Sequence, residues 1–119
     1  IRTTPNPNPK KQRNYSGTNP PYLTVEAITA IVKMGYDHLL VDLPSVDREE
    51  DGGKLTSHHA FWGLPSPGGR EHCTITELIF VANDIEDGLY FLDLQRANFG
   101  LDCSPSRPLL YQMRPINDE

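Results

Sequence analysis

The sequence predicts an α/β fold, a mixed β-sheet with few helices, and three observations predict it. Val25, Ile28, Ile31 and Val32 recur at helical spacing between Thr24 and Met34. After Gly35, the run from His38 to Leu43 is continuously apolar at its centre rather than alternating, the pattern of a strand covered on both faces. The stretch Thr74 to Val81 is rich in β-branched residues. Helix, glycine turn and buried strand together make an α/β unit.

Residues 4–22 carry five prolines and almost no aliphatic side chains. Pro5, Pro7 and Pro9 force an extended path, and Tyr15 and Tyr22 give it aromatic handles, so residues 1–23 read as a proline-rich arm or surface loop, with a disordered linker as the other reading. Residues 24–119 read as one domain portion. Thr24 is placed to cap the first helix, Glu26 sits where the helix dipole favours a carboxylate, and Lys33 and Gly35 mark its end. Pro44 to Lys54 is a polar loop holding Asp47, Glu49, Glu50 and Asp51. Leu55 to Trp62 reads as a short helix capped by Thr56 or Ser57, and Leu64 to Arg70 as a turn. Past the strand at Thr74 to Val81 come a turn at Asn83 to Gly88, a strand at Leu89 to Leu94, a rigid loop at Asp102 to Pro108 and a last short strand at Leu109 to Met113.

Length and composition narrow the function. The 119 residues are one domain's worth. Eleven basic residues against sixteen acidic ones give a net charge of -5, which argues against a general nucleic-acid binder. No run of eighteen apolar residues is present, so no helical membrane span is expected, and no signal peptide is visible. Two cysteines, Cys73 and Cys103, do not make a disulfide framework; free thiols in a reducing, cytoplasmic compartment are expected. GxSxG, Walker, GxGxxG and CxxC motifs are all absent. His72-Cys73 reads as incidental, since no pattern marks the thiol as a nucleophile.

The chemistry-bearing residues are few. Ser57-His58-His59 offers imidazoles, and Glu77 places a carboxylate inside an otherwise apolar strand. Histidine and carboxylate are ordinary zinc or manganese ligands. Adjacent histidines on a helix diverge by about 100°, so only one of the pair can face a given ion. Glu77 is either on a solvated edge or in the interior with a partner, where an unpaired carboxylate is costly. Asp42 and Asp47 flank Pro44-Ser45-Val46 at a strand end, where ligand sites gather in α/β proteins. The reading preferred for them is that they satisfy loop backbone groups and shape a site rather than bind an ion.

Asp42-Leu43-Pro44-Ser45-Val46-Asp47, Ser57-His58, the Glu77 strand and Ser104-Pro105-Ser106-Arg107-Pro108, in that order, resemble the cyclase family of metal-dependent hydrolases, arylformamidase-like enzymes of the kynurenine formamidase and isatin hydrolase type. The resemblance runs from about Arg2 to Met113. It implies that family's β/α fold and a divalent metal, zinc or manganese. It implies hydrolysis of a small amide, formamide or lactam-like C–N bond by metal-activated water. By position it makes His58 and Glu77 the metal ligands, and it places Ser45, Asp47, His59 and Trp62 around a substrate pocket. It also implies a homo-oligomer. Cys103 stands where the family more often has alanine. The family's HxGTHxDxPxH motif, which supplies most ligands and the catalytic histidine, is absent: the four histidines are His38, His58, His59 and His72. With Ile1-Arg2-Thr3 opening the chain, the expectation is the C-terminal half of such an enzyme, inactive alone, with no catalytic residue of its own and with the N-terminal half as its partner. The alternative is a non-catalytic binding or structural domain that keeps the scaffold.

Overall fold

The computed structural model describes residues 1–66 and 68–114, and they form a mixed α/β structure with few helices and two small sheets. The chain divides into two units, Ile1–Asn83 and Asp84–Glu119.

In the first unit, helix α1 spans Val25–Lys33. The Thr24 hydroxyl accepts the Ala27 N–H at 3.3 Å, as its position before the helix predicts. Gly35 ends the turn at φ +84°, a left-handed conformation that costs glycine nothing. Ile28 is fully buried, with Leu23, Ile31 and Val32 packed around the same core. Val25, expected on that face, is exposed, because the helix turns its first residue outward.

Strand β1 spans His38–Leu40 and pairs in parallel with β2, Thr74–Thr76, in the register His38↔Thr74, Leu39↔Ile75, Leu40↔Thr76. Both are shorter than the sequence predicts. Backbone pairing nevertheless continues: Val41 N–H donates to Thr76 O at 2.9 Å, and Ile79 N–H to Val41 O at 3.1 Å. Between them Leu78 adopts φ +57°, and its N–H reaches Leu43 O at 2.9 Å. That left-handed, non-glycine residue breaks the ladder in the manner of a bulge. Glu77 therefore lies just past the strand end, not within a strand as expected.

Helix α2, Thr56–Trp62, supplies the crossover that parallel strands require. Its Phe61 is fully buried and joins Ile28, Leu39, Val41, Leu43, Val46 and Cys73 in the core. The Trp62 indole N–H donates to Cys73 O at 2.9 Å, tying helix to strand. A Cβ on Gly69 would collide with the Trp62 carbonyl oxygen, which accepts the Arg70 N–H at 2.9 Å; glycine is what lets the chain pass there.

The proline-rich arm is tied down. It carries a 3-10 turn at Asn8–Gln12. Asn6 is buried, its amide donating to Val81 O at 3.0 Å, and its N–H reaches Asn83 Oδ1 at 2.8 Å. Thr3 donates its N–H and hydroxyl to the Asp42 carboxylate at 2.9 Å, and Lys10 Nζ reaches the same carboxylate at 2.8 Å. Further along, Glu49 accepts the N–H groups of Gly17 at 2.5 Å and Asn19 at 2.8 Å.

In the second unit, β3 (Tyr90–Asp93) and β4 (Leu109–Gln112) pair antiparallel, with Phe91 opposite Tyr111 and their rings 6.2 Å apart. Ser106 donates its hydroxyl to Gln95 O at 2.6 Å, which gives the Ser-Pro-Ser-Arg-Pro segment a structural role.

Candidate functional site

The loop after β1 builds the site. Ser45 Oγ accepts the Asp47 N–H at 3.1 Å, a local turn bond of the kind expected there. The turn presents the buried Asp47 carboxylate to the first turn of α2. It accepts the N–H of Ser57 at 2.7 Å and of His58 at 3.1 Å, with the Thr56 hydroxyl at 3.4 Å. The helix is therefore capped from across the loop, not by Thr56 or Ser57 as expected. Ser57 instead donates its hydroxyl to Leu23 O at 2.8 Å.

Asp47 also fixes His58. Asp47 Oδ2 lies 2.6 Å from His58 Nδ1. Burial alone would raise the Asp47 pKa, but the hydrogen bonds from the His58 ring and the Ser57 and His58 N–H groups outweigh it and hold the carboxyl below the ordinary aspartate value. An ionised carboxylate only accepts, so Nδ1 carries the proton and Nε2 presents a lone pair in the neutral ring.

Nε2 faces Glu77. The distance from Nε2 to Glu77 Oε1 is 3.5 Å, and the same oxygen accepts the Val46 N–H at 2.8 Å. A protonated His58 would make an ion pair with Glu77 across this gap, whereas a neutral ring leaves two acceptor atoms able to share a cation. The gap exceeds an ordinary N–H···O bond of about 2.7–3.2 Å. It is close to the roughly 3.4 Å edge of a tetrahedron whose metal lies about 2.1 Å from N and O ligands. The donor pair thus fits two ligands of a divalent cation, with Asp47 as the carboxylate that orients the imidazole from behind. Among the described residues, no third histidine, cysteine, aspartate or glutamate completes a set with them.

Trp62 packs one helical turn on, its ring centroid 5.4 Å from that of His58. His59 is exposed and takes part in none of these bonds. A cleft of about 480 Å³ lies beside Asp47, bordered also by Tyr22, Arg48, Lys54, Thr56 and Ser57. Of the four residues expected around a pocket, Asp47 borders this cleft; Ser45, His59 and Trp62 do not.

Glu49 and Asp51 of the acidic loop are taken up in backbone bonding. Asp51 accepts the N–H of Gly53 at 2.7 Å and of Leu55 at 2.6 Å. Asp42 accepts from Thr3 and Lys10 of the arm, not from backbone groups of its own loop as the sequence suggests.

A second cluster includes His72-Cys73, which the sequence reads as incidental. Asp37, His72 and Cys73 bring one donor atom each into mutual reach. The adjacent His72 and Cys73 were its signal, but Asp37 reaches them only through the parallel register of β1 and β2.

No protein-family model, curated protein or solved structure matches this chain. Fold and site define a small mixed α/β protein with a carboxylate–histidine–carboxylate relay. Among the described residues, no helix is long and apolar enough to cross a membrane.

Proposed function

We propose that this chain is part of a metal-dependent hydrolase acting on a small amide, formamide or lactam-like C–N bond, and that it contributes His58 and Glu77 as ligands to zinc or manganese. The observation that carries the reading is the 3.5 Å approach of His58 Nε2 to Glu77 Oε1 with Nδ1 held by Asp47. A divalent cation bound there supplies Lewis acidity and lowers the pKa of a water. Asp47 holds the His58 tautomer, and Trp62 walls one face of the ring. The remaining ligands and the catalytic histidine come from the N-terminal half of the enzyme, in keeping with the need for at least three protein ligands. The free thiols of Cys73 and Cys103 support a reducing, cytoplasmic location.

A second reading has its own observation. Glu77 is already engaged by the Val46 N–H and Asp47 by helix N–H groups, so the relay also serves as a clasp in a non-catalytic domain. Metal content and activity of the complete enzyme separate the two. His58→Ala and Glu77→Gln should each empty the site and remove most formamide hydrolysis, whereas His59→Ala, on the exposed face, should cost about tenfold or less. Metal content unchanged in both ligand variants would leave the clasp as the reading.

A further inference from the structure

We infer that Asp37, His72 and Cys73 form a second divalent-cation site, suited to zinc, at the N-terminal ends of β1 and β2. The site is distinct from the His58–Glu77 pair, which follows the C-terminal ends of the same strands. Asp37 immediately precedes β1 and Cys73 immediately precedes β2. The parallel register His38↔Thr74 sets them side by side, and Thr74 N–H donates to Asp37 O at 3.1 Å. Cys73 is pinned further by its N–H to Arg70 O at 2.9 Å and by the Trp62 indole on its carbonyl.

The three donor atoms make a nearly equilateral triangle. Asp37 Oδ1 to Cys73 Sγ, Cys73 Sγ to His72 Nε2 and His72 Nε2 to Asp37 Oδ1 are each 3.5 Å. For a tetrahedral zinc with ligands at about 2.0–2.3 Å, the edges of the coordination shell are about 3.4–3.6 Å. The His72–Asp37 distance is longer than a formed N–H···O bond, while the two edges to Sγ are also of hydrogen-bond length, so it is the closure of all three edges at one spacing that matches a coordination face.

The donor chemistry selects the ion. Thiolate and imidazole favour zinc over magnesium or calcium, which take oxygen shells. Cys73 is buried, whereas His72 and Asp37 are exposed, so the ion enters from solvent and keeps its fourth position toward it. Arg70 pairs with Asp37 Oδ1 at 3.5 Å and also donates to the carbonyl oxygens of Phe61 and Tyr36, so a bound ion would share the Asp37 carboxylate with it. When the ion binds, the Sγ–H bond breaks, the proton passes to solvent and an Sγ–metal bond forms. Thiolate and carboxylate then balance the two positive charges.

Cobalt(II) titration of the purified, metal-stripped full protein tests the site, because a thiolate–cobalt bond has its own charge-transfer absorption. One equivalent should give that band, and zinc should displace it. Cys73→Ser should abolish the band and Cys103→Ser should keep it. His72→Ala, an exposed side chain outside the core, should lower cobalt affinity at least tenfold without changing the fold. The band should survive in the His58→Ala, Glu77→Gln double variant, so failure here is distinguishable from failure of the hydrolase reading. Absence of the band in the wild-type protein, or a band indifferent to His72→Ala and Asp37→Asn, would overturn the assignment.

Discussion

At the scale of single residues, the site turns on Asp47 doing two things at once. Its Oδ1 caps α2 through the Ser57 N–H, while its Oδ2 receives the His58 ring. Asparagine is nearly isosteric but cannot fill both roles. With its oxygen kept on Ser57, the amide nitrogen faces Nδ1 and donates to it, which drives the ring proton to Nε2. The lone pair aimed at Glu77 is then lost. On the proposed metal reading, Asp47→Asn should therefore weaken metal binding by roughly 10–100-fold, the usual cost of an outer partner, with the Phe61 core unchanged. Metal titration checks the affinity and circular dichroism the fold. Leu78 belongs to the same scale. Its positive φ is a strained choice for leucine, of about 1–2 kcal/mol, and the ladder break it makes leaves Glu77 bonded to Val46 N–H beyond the strand. Strain of this kind gathers where a fold positions functional groups.

At the scale of elements, the arm is held by a buried charge. The Asp42 side chain is fully buried, and that of Lys10 is 14% exposed. Burial pushes the Asp42 pKa up, but Lys10, Thr3 and Asn6 together outweigh it and hold the carboxyl below its ordinary value of 3.8. A lowered folded-state pKa means that the contribution to stability is complete above the ordinary value. It is lost as pH falls below that value through the folded one. Lys10→Met leaves a buried carboxylate without its cation and should cost about 3 kcal/mol at pH 7. The gap between wild type and variant in denaturant titrations should narrow as pH falls below 3.8 through the folded-state value, because protonating Asp42 removes the ion pair from the wild type and the uncompensated charge from the variant; a constant gap would show that Lys10 acts through packing alone. The elements differ in how far sequence reveals them. α1 was legible to the residue, because Thr24 and Gly35 act locally. The strands were not: their ends depend on a bulge at Leu78 and on pairing between segments far apart in sequence. The cap of α2 was missed because Asp47 reaches it from outside the local sequence. His58 and Glu77 were picked out by residue type and resemblance, yet Asp37 with His72-Cys73 was passed over, since only strand register brings it near.

At the scale of the whole molecule, ligand count and sheet size point the same way. His58 and Glu77 are two donors, and a catalytic zinc centre takes at least three from protein. Among the described residues each sheet has two strands, and two-stranded pairings are marginal without further neighbours. Within the second unit, Leu89, Phe91 and Tyr111 are exposed by 86%, 65% and 52%. Unpaired strand edges beside such side chains invite association. Residues 1–119 alone should thus show no turnover of an aryl formamide with zinc or manganese, and sedimentation should find them self-associated. On the proposed reading, supplying a half that carries the HxGTHxDxPxH motif should restore turnover and reduce the association together, because it would bring the missing ligands and further strands for the sheets. The coupling is the informative part. Activity restored while self-association persists would separate the metal centre from the sheet, and substantial turnover by this chain alone would show that His58 and Glu77 need no outside ligand, which would overturn the divided site.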